Sequence, residues 1–279
     1  MRIALAQVDC DLGDVEANLA RARVVVAEAK DRGAELVVFP ELTLTGYSLG
    51  QVGEDVSLPA DDPRLTELAG ELAVVIGFAE RGRLHTYNSA AYLAGGELRL
   101  VHRKLYLTTY DIYEERKHFS PGQALRSFPL GERDDERGAI LICNDAWQPA
   151  LPFLAVQDGA SVLLVMANSA ASPSPELFDT SIYWRDINRV YARMYESVVV
   201  FVNRVGEEGE LSFWGRSSVI DCTGEVVAEA PAAEEALLVV DVDLAAVRAR
   251  RHALPLVREA RLGLLRRELG RLIEEGGDA

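Results

Sequence analysis

The sequence predicts a layered α/β fold in which mixed β-sheets are covered by helices. Three observations carry that prediction. Short apolar runs of strand length alternate with stretches of helical periodicity, as in parallel sheets with helices on their faces. Hairpin signals interrupt the alternation, clearest at Gly95-Gly96, so a barrel of eight clean βα units does not fit. No linker-like shift in composition divides the 279 residues, so residues 1–279 are expected to form one domain with a large core.

Taken in order, Ile3 to Val8 reads as a first strand. Asp14 then caps a helix running to about Arg32, with Leu19, Ala22, Val26 and Ala29 on one face. Gly33 stands where a helix-ending glycine is favoured. Leu36 to Phe39 is a short buried strand that ends at Pro40-Glu41. A loop from Pro59 to Pro63 and a short helix precede a strand at Val74–Phe78. Thr86–Leu93 and Glu97–His102 form a hairpin whose second arm ends at Arg103-Lys104. The segment Leu105 to Gly122 is rich in aromatic and charged residues, which marks an ordered, functional loop.

Gly138 to Cys143 climbs as a buried strand and stops on a thiol, followed by Asn144, Asp145 and Trp147. A helix at Ala150–Gln157, a strand at Ser161–Met166, a helix at about Glu176–Glu196 and a strand at Val198–Val202 follow. Three more strands are expected near Ser217–Ile220, Val226–Glu229 and Leu237–Val242. Leu244 to Glu275 reads as helical, broken at Pro255.

Composition excludes several functions. Lys+Arg number 29 against 44 Asp+Glu, a formal charge of -15, which is the wrong sign for a nucleic-acid-binding face. The basic cluster Arg248, Arg250, Arg251, Arg258, Arg261, Arg266 and Arg267 is interleaved with Glu259, Glu268, Glu274 and Glu275. It reads as a solvated or subunit-contacting helix face. Cys10, Cys143 and Cys222 form no CxxC pair, so neither a disulfide scaffold nor a zinc knuckle is expected, and reduced thiols point to the cytoplasm. The N-terminus turns polar too soon for a signal peptide, and no apolar run nears the ~20 residues of a membrane span. Four scattered histidines offer no metal cage, and no phosphate-binding glycine motif occurs. No cofactor and no metal are expected.

Open α/β sheets bind ligands at strand ends, and three strands end on Glu41, Lys104 and Cys143. A thiol near neutral pH needs a base or a nearby positive charge to attack a carbonyl. A carboxylate can take its proton and return it to a leaving amine. An ammonium, with the backbone N–H of Asn144, can hold the oxyanion of a tetrahedral intermediate. Together they describe acyl transfer. A Cys–His arrangement using His85, His102 or His118 is the competing reading, and spacing alone leaves both open. Cys143 as a packing residue is the third, since free cysteines are commonly buried.

The residues resemble the nitrilase, or carbon–nitrogen hydrolase, superfamily. The resemblance is carried by Ala4-Leu-Ala-Gln7 with Gly13-Asp14 and Asn18, Phe39-Pro-Glu41 through Gly46-Tyr47, His102-Arg-Lys104, and Ile142-Cys143-Asn144-Asp145-Ala-Trp147. Asn168-Ser169, Val202-Asn203 through Gly206 and Trp214 through Ile220 extend it across most of the chain. It implies an αββα sandwich, usually paired across subunits into a longer αββααββα arrangement, so a homodimer or higher homo-oligomer with the 244–279 segment at the interface is expected. It implies Glu41 as general base, Lys104 as oxyanion stabiliser, Cys143 as nucleophile and Glu115 as a second glutamate. Tyr47, Tyr110, Asn144, Trp147 and Asn168 are the expected substrate contacts, with Trp184 as a further wall; for the aromatic residues a core or lid role is the alternative.

Within the superfamily, the 104–122 segment, the Cys143 block and Asn203-Arg204-Val-Gly206 are most similar to the glutaminase domain of glutamine-dependent NAD synthetases. Asn144 departs from that branch, which more often has an acidic residue there. The chain stops where such an enzyme would continue into an ATP-using domain. The expectation is therefore a stand-alone amidase acting on a small amide, ω-amide or N-carbamoyl amine through a Cys143 thioester. The alternatives are a glutaminase subunit serving a separate synthetase, a nitrilase, and a non-catalytic binding protein.

Overall fold

In the computed structural model, which describes residues 1–109, 113–130 and 133–276, apolar runs become strands where both of their faces are covered. β1 (Arg2–Gln7), α1 (Val15–Asp31) and β2 (Leu36–Val38) come first. The Asp14 carboxylate caps α1 by accepting from the Ala17 N–H at 3.0 Å. A single turn, α2 (Pro63–Thr66), then leads to β3 (Ala73–Arg81), β4 (Thr86–Ala94) and β5 (Glu97–Arg103). α3 (Glu115–His118), β6 (Ser127–Pro129) and β7 (Arg137–Ile142) follow, then α4 (Ala150–Gln157), β8 (Val162–Ala167), α5 (Thr180–Met194) and β9 (Val198–Asn203). β10 (Val205–Glu208) and β11 (Leu211–Trp214) form a separate hairpin, and β12 (Ser218–Ile220), β13 (Val226–Glu229), β14 (Ala236–Asp241), α6 (Leu244–Ala253) and α7 (Leu262–Glu274) complete the chain.

Two six-stranded mixed sheets result, ordered β14-β1-β2-β3-β4-β5 and β13-β12-β9-β8-β7-β6. Their inner faces meet. Ile3, Leu5 and Val75 of the first pack with Ile140, Leu164, Met166 and Val200 of the second. The alternate residues face outward onto helices. Ala4, Val37 and Ile76 lie under α1 with Leu19 and Ala22, and Leu141, Leu163 and Val165 lie under α4 and α5 with Ala155, Trp184 and Tyr191. Helix, sheet, sheet and helix therefore stack in four layers, as expected. Strands buried on both faces explain the near-continuous apolar runs.

Direction decides where chemistry can gather. β1, β2 and β3 are parallel, and β4 is antiparallel to both β3 and β5. β2 and β5 thus run the same way and bring their C-terminal ends to one edge. β7, β8 and β9 are likewise parallel.

Several boundaries differ from the sequence reading. β7 stops at Ile142, and Cys143 opens a 3-10 turn through Trp147. α5 begins at Thr180 rather than near Glu176, because the Asp179 carboxylate accepts from the N–H groups of Ser181 and Ile182. The last helical stretch is two helices. α6 is anchored by Leu244 and Val247, whereas none of α7 is buried, leaving Leu262, Leu265, Leu269 and Leu272 exposed. Among the described residues no helix is long and apolar enough to cross a membrane.

Candidate active site

Glu41, Lys104 and Cys143 sit just beyond β2, β5 and β7, and the fold brings all three together. Each turn is shaped by close packing. Gly77 of β3 lies against the backbone of Pro40, Glu41 and Leu42, and a Cβ there would overlap it. Leu42 and Cys143 both hold positive φ, 48° and 46°, a conformation that costs a non-glycine residue about 1–3 kcal/mol and is met at functional sites. At Cys143 it turns the chain sharply at the strand end.

The centre is a buried ionic cluster. Lys104 Nζ donates to Glu41 Oε1 at 2.8 Å and to Glu115 Oε1 at 2.7 Å, and all three side chains are essentially inaccessible to solvent. Glu41 also accepts from Asn88 Nδ2 at 2.7 Å and from the Asn168 N–H at 2.8 Å. Glu115 accepts from the Tyr47 hydroxyl at 2.6 Å and the Thr108 N–H at 3.1 Å. The Glu41 carboxylate also acts on the Cys143 thiol.

Protonation follows from burial and neighbours. Burial opposes the Lys104 charge, but Glu115 and Glu41 outweigh it and hold the ammonium well above its ordinary range. Burial raises Glu41 above the usual carboxylate range, against the pull of Lys104. Burial and then Glu41 push the Cys143 thiol well up, with Lys104 pulling the other way. Burial and Glu115 push Tyr47 well up, so it stays a phenol and donates. The set is a neutral thiol beside a carboxylate, backed by an ammonium between two acids.

A carboxylate absent from the expected catalytic set joins two of the strand ends. Asp145 is fully buried, and its Oδ1 accepts from the N–H groups of Leu105 and Tyr106, each at 2.9 Å. Its Oδ2 accepts from the Ile142 N–H at 3.1 Å and pairs with His102 Nε2 at 3.0 Å. It therefore ties the residues after Lys104 to the residue before Cys143, and His102 serves that tie. His85 packs edgewise on Tyr87, and His118 lies by Gly50 in a neighbouring cleft. None of these three histidines lines the Cys143 cavity, so the Cys–His reading has no geometric support.

That cavity has a volume of about 350 Å³. Among the expected contacts, Tyr47, Trp147, Asn168 and Trp184 line it. Asn144 does not, although its N–H follows the thiol directly in the turn. Tyr110 lies outside the described residues. Ser169, Leu177, Phe178 and Thr180 complete much of the wall, and Trp147 packs on Phe178 and Trp184 at ring separations of 5.7 and 5.5 Å. Among the described residues no group of three or more His, Cys, Asp or Glu side chains could hold a metal.

A second ionic network supports Tyr47 from behind. Arg204 Nη1 donates to Glu208 Oε2 at 2.6 Å, and Glu208 accepts from the N–H groups of Tyr47 and Ser48. Arg204 also reaches Asp9 and the Cys10 carbonyl, and stacks over Phe213. Asn88, Asp145 and this Arg204–Glu208 pair were not singled out as site residues in the sequence. Their one signal is a polar side chain set inside or beside an apolar strand run.

Comparison with known proteins agrees with this architecture. The carbon-nitrogen hydrolase family model matches residues 2–252. Glutamine-dependent NAD(+) synthetase of Thermotoga maritima is 33% identical over 88% of this chain, which spans only 42% of that protein. N-carbamoylputrescine amidase of Solanum lycopersicum is 30% identical, with 93% of this chain and 91% of that protein covered. Among solved structures, an amidase variant from Nesterenkonia sp. AN1 bears the acetamide moiety of fluoroacetamide on its active-site cysteine. It superposes with a TM-score of 0.77 at 26% identity, over 96% of each chain. With its layered sheets and the family match over nearly its whole length, the chain belongs to the carbon-nitrogen hydrolase family.

Proposed function

We propose that the chain is an amidase that works through a thioester at Cys143. The observation that carries the proposal is the buried Glu41–Lys104–Glu115 cluster set beside a thiol that lines a cavity of about 350 Å³. Glu41 takes the thiol proton as Sγ attacks the amide carbonyl. Lys104 Nζ and the Asn144 N–H hold the developing oxyanion. Glu41 returns the proton to the leaving nitrogen, ammonia or an amine departs, and the acyl group stays on sulfur. Glu41 then takes a proton from water, which attacks the thioester and releases the acid with regeneration of the thiol. Glu115, held by Tyr47, keeps Lys104 charged and in place. The adduct on the cysteine of the Nesterenkonia relative supports the covalent step.

A glutaminase that supplies ammonia to a separate synthetase is the second reading, favoured by the Thermotoga identity. Both readings share the thioester, and both are tested by intact mass after mixing with small amides. The expected result is an acyl adduct on the native chain and none on Cys143→Ala. An adduct that survives Cys143→Ala moves the nucleophile elsewhere.

A further inference from the structure

We infer that the cavity beside Cys143 selects amides whose acyl group is uncharged and largely apolar. The inference rests on the amidase reading and narrows its substrate. Among the described residues lining the cavity, none carries a charged side chain. The aromatic part of the wall is built from Trp147, Phe178 and Trp184, with the Trp147 ring packed on the other two.

An acyl group bearing a carboxylate would find no cation. Lys104 is fully buried and already held by Glu41 and Glu115. An anionic acyl tail would thus lose water without gaining a partner. A glutamine-like substrate carries such a carboxylate. An ammonium tail fares little better, because no acid lines the cavity among the described residues.

Among the polar residues of the lining, Asn168 stands apart. Asn168 is only 2% exposed and lines the cavity, and both Oδ1 and Nδ2 lack a partner. A buried carboxamide without a partner is unfavourable. It is suited to a neutral amide, which offers both a carbonyl to accept and an N–H to donate. The structure assigns Asn168 to the substrate's own amide and the aromatic wall to its tail.

Four ligands of matched length separate the possibilities: pentanamide, glutaramate, 5-aminopentanamide and glutamine. Calorimetric binding is measured on Cys143→Ala, and kcat/KM for ammonia release on the native chain. Pentanamide is expected to lead each charged ligand by roughly 30-fold or more in both measurements. Glutamine or glutaramate within threefold of pentanamide would overturn the inference, as would binding of none of the four. Pentanamide binding selectively without ammonia release from any ligand would leave the selection standing and sink the thioester reading instead. Ammonia release led by a charged ligand would do the reverse.

Discussion

Replacing Lys104 by alanine removes the positive charge that separates two buried carboxylates. Lys104, Glu41 and Glu115 are 0%, 1% and 3% exposed, so water does not replace the ammonium. Breaking a buried ion pair by deleting one partner costs about 3–5 kcal/mol, because the other charge is left uncompensated. At about 2–4 °C per kcal/mol for a large domain, the thermal midpoint should fall by roughly 6–20 °C at pH 8. The sign of the pH dependence follows from the carboxylates. Without the ammonium, burial and mutual repulsion raise a folded-state carboxylate above its unfolded value, so its protonated form is the tolerated one. Stability is then present at low pH and lost as pH rises through the raised value. The deficit relative to the native chain should be smaller at pH 5.5 than at pH 8. In the native chain Lys104 is itself raised, so its contribution persists through neutral pH and is lost only in the alkaline range. Scanning calorimetry of both proteins and of Lys104→Ala/Glu115→Gln at the two pH values tests this. Removing one carboxylate should restore about 1–3 kcal/mol. A midpoint unchanged by Lys104→Ala, or a fall independent of pH, would refute the buried-charge account.

Two further outcomes follow from the same geometry. Glu41→Gln should lower kcat/KM by about 10²–10⁴. Because burial raises Glu41, the acid limb of the native profile should lie above the ordinary carboxylate range and vanish in this variant; an unchanged limb would assign it to another group. Asp145→Asn must turn an NH2 toward at least one backbone N–H that now donates to the carboxylate. It should cost about 2–3 kcal/mol in stability and, by displacing Cys143 relative to Lys104, at least ~10-fold in kcat, and native values of both would dismiss Asp145 as the tie.

The layered fold and the three strand-end residues were legible because each is a local pattern. Apolar runs that stop on Glu41, Lys104 and Cys143 announce strand ends, and strand ends gather ligands in α/β sheets. Glu115 came from family resemblance alone, since α3 is a single turn in a segment without periodicity. Asp145 was visible as a residue but not as a tie, because its partners Leu105 and Tyr106 lie about forty positions away. The β10–β11 hairpin escaped notice although Gly209 marks its turn and Leu211, Ser212 and Phe213 alternate in burial. Its strands are only four residues each and pair outside the two main sheets. His102 lies near the end of its strand, two positions before Lys104, which made it a candidate base; only tertiary structure shows it facing Asp145.

Cysteine nucleophiles can be made reactive in two ways, and the proposed mechanism uses the second. A nearby cation or helix end can hold a standing thiolate, or a base can wait beside a neutral thiol. Here Lys104 is shared between two acids, and burial together with Glu41 keeps the thiol protonated. The nucleophile is then generated only as Glu41 takes its proton during attack. Oxidation and alkylation follow thiolate character, so a neutral thiol resists both although Cys143 is only partly buried. That arrangement needs a carboxylate held close, raised and unable to swing away. Asn88, the Asn168 N–H and Lys104 hold Glu41 on one side, while Tyr47, fixed by Glu208 and Arg204, holds Glu115 on the other. The long chain of buried polar contacts is therefore the means by which a protonated cysteine is kept one proton transfer from reaction.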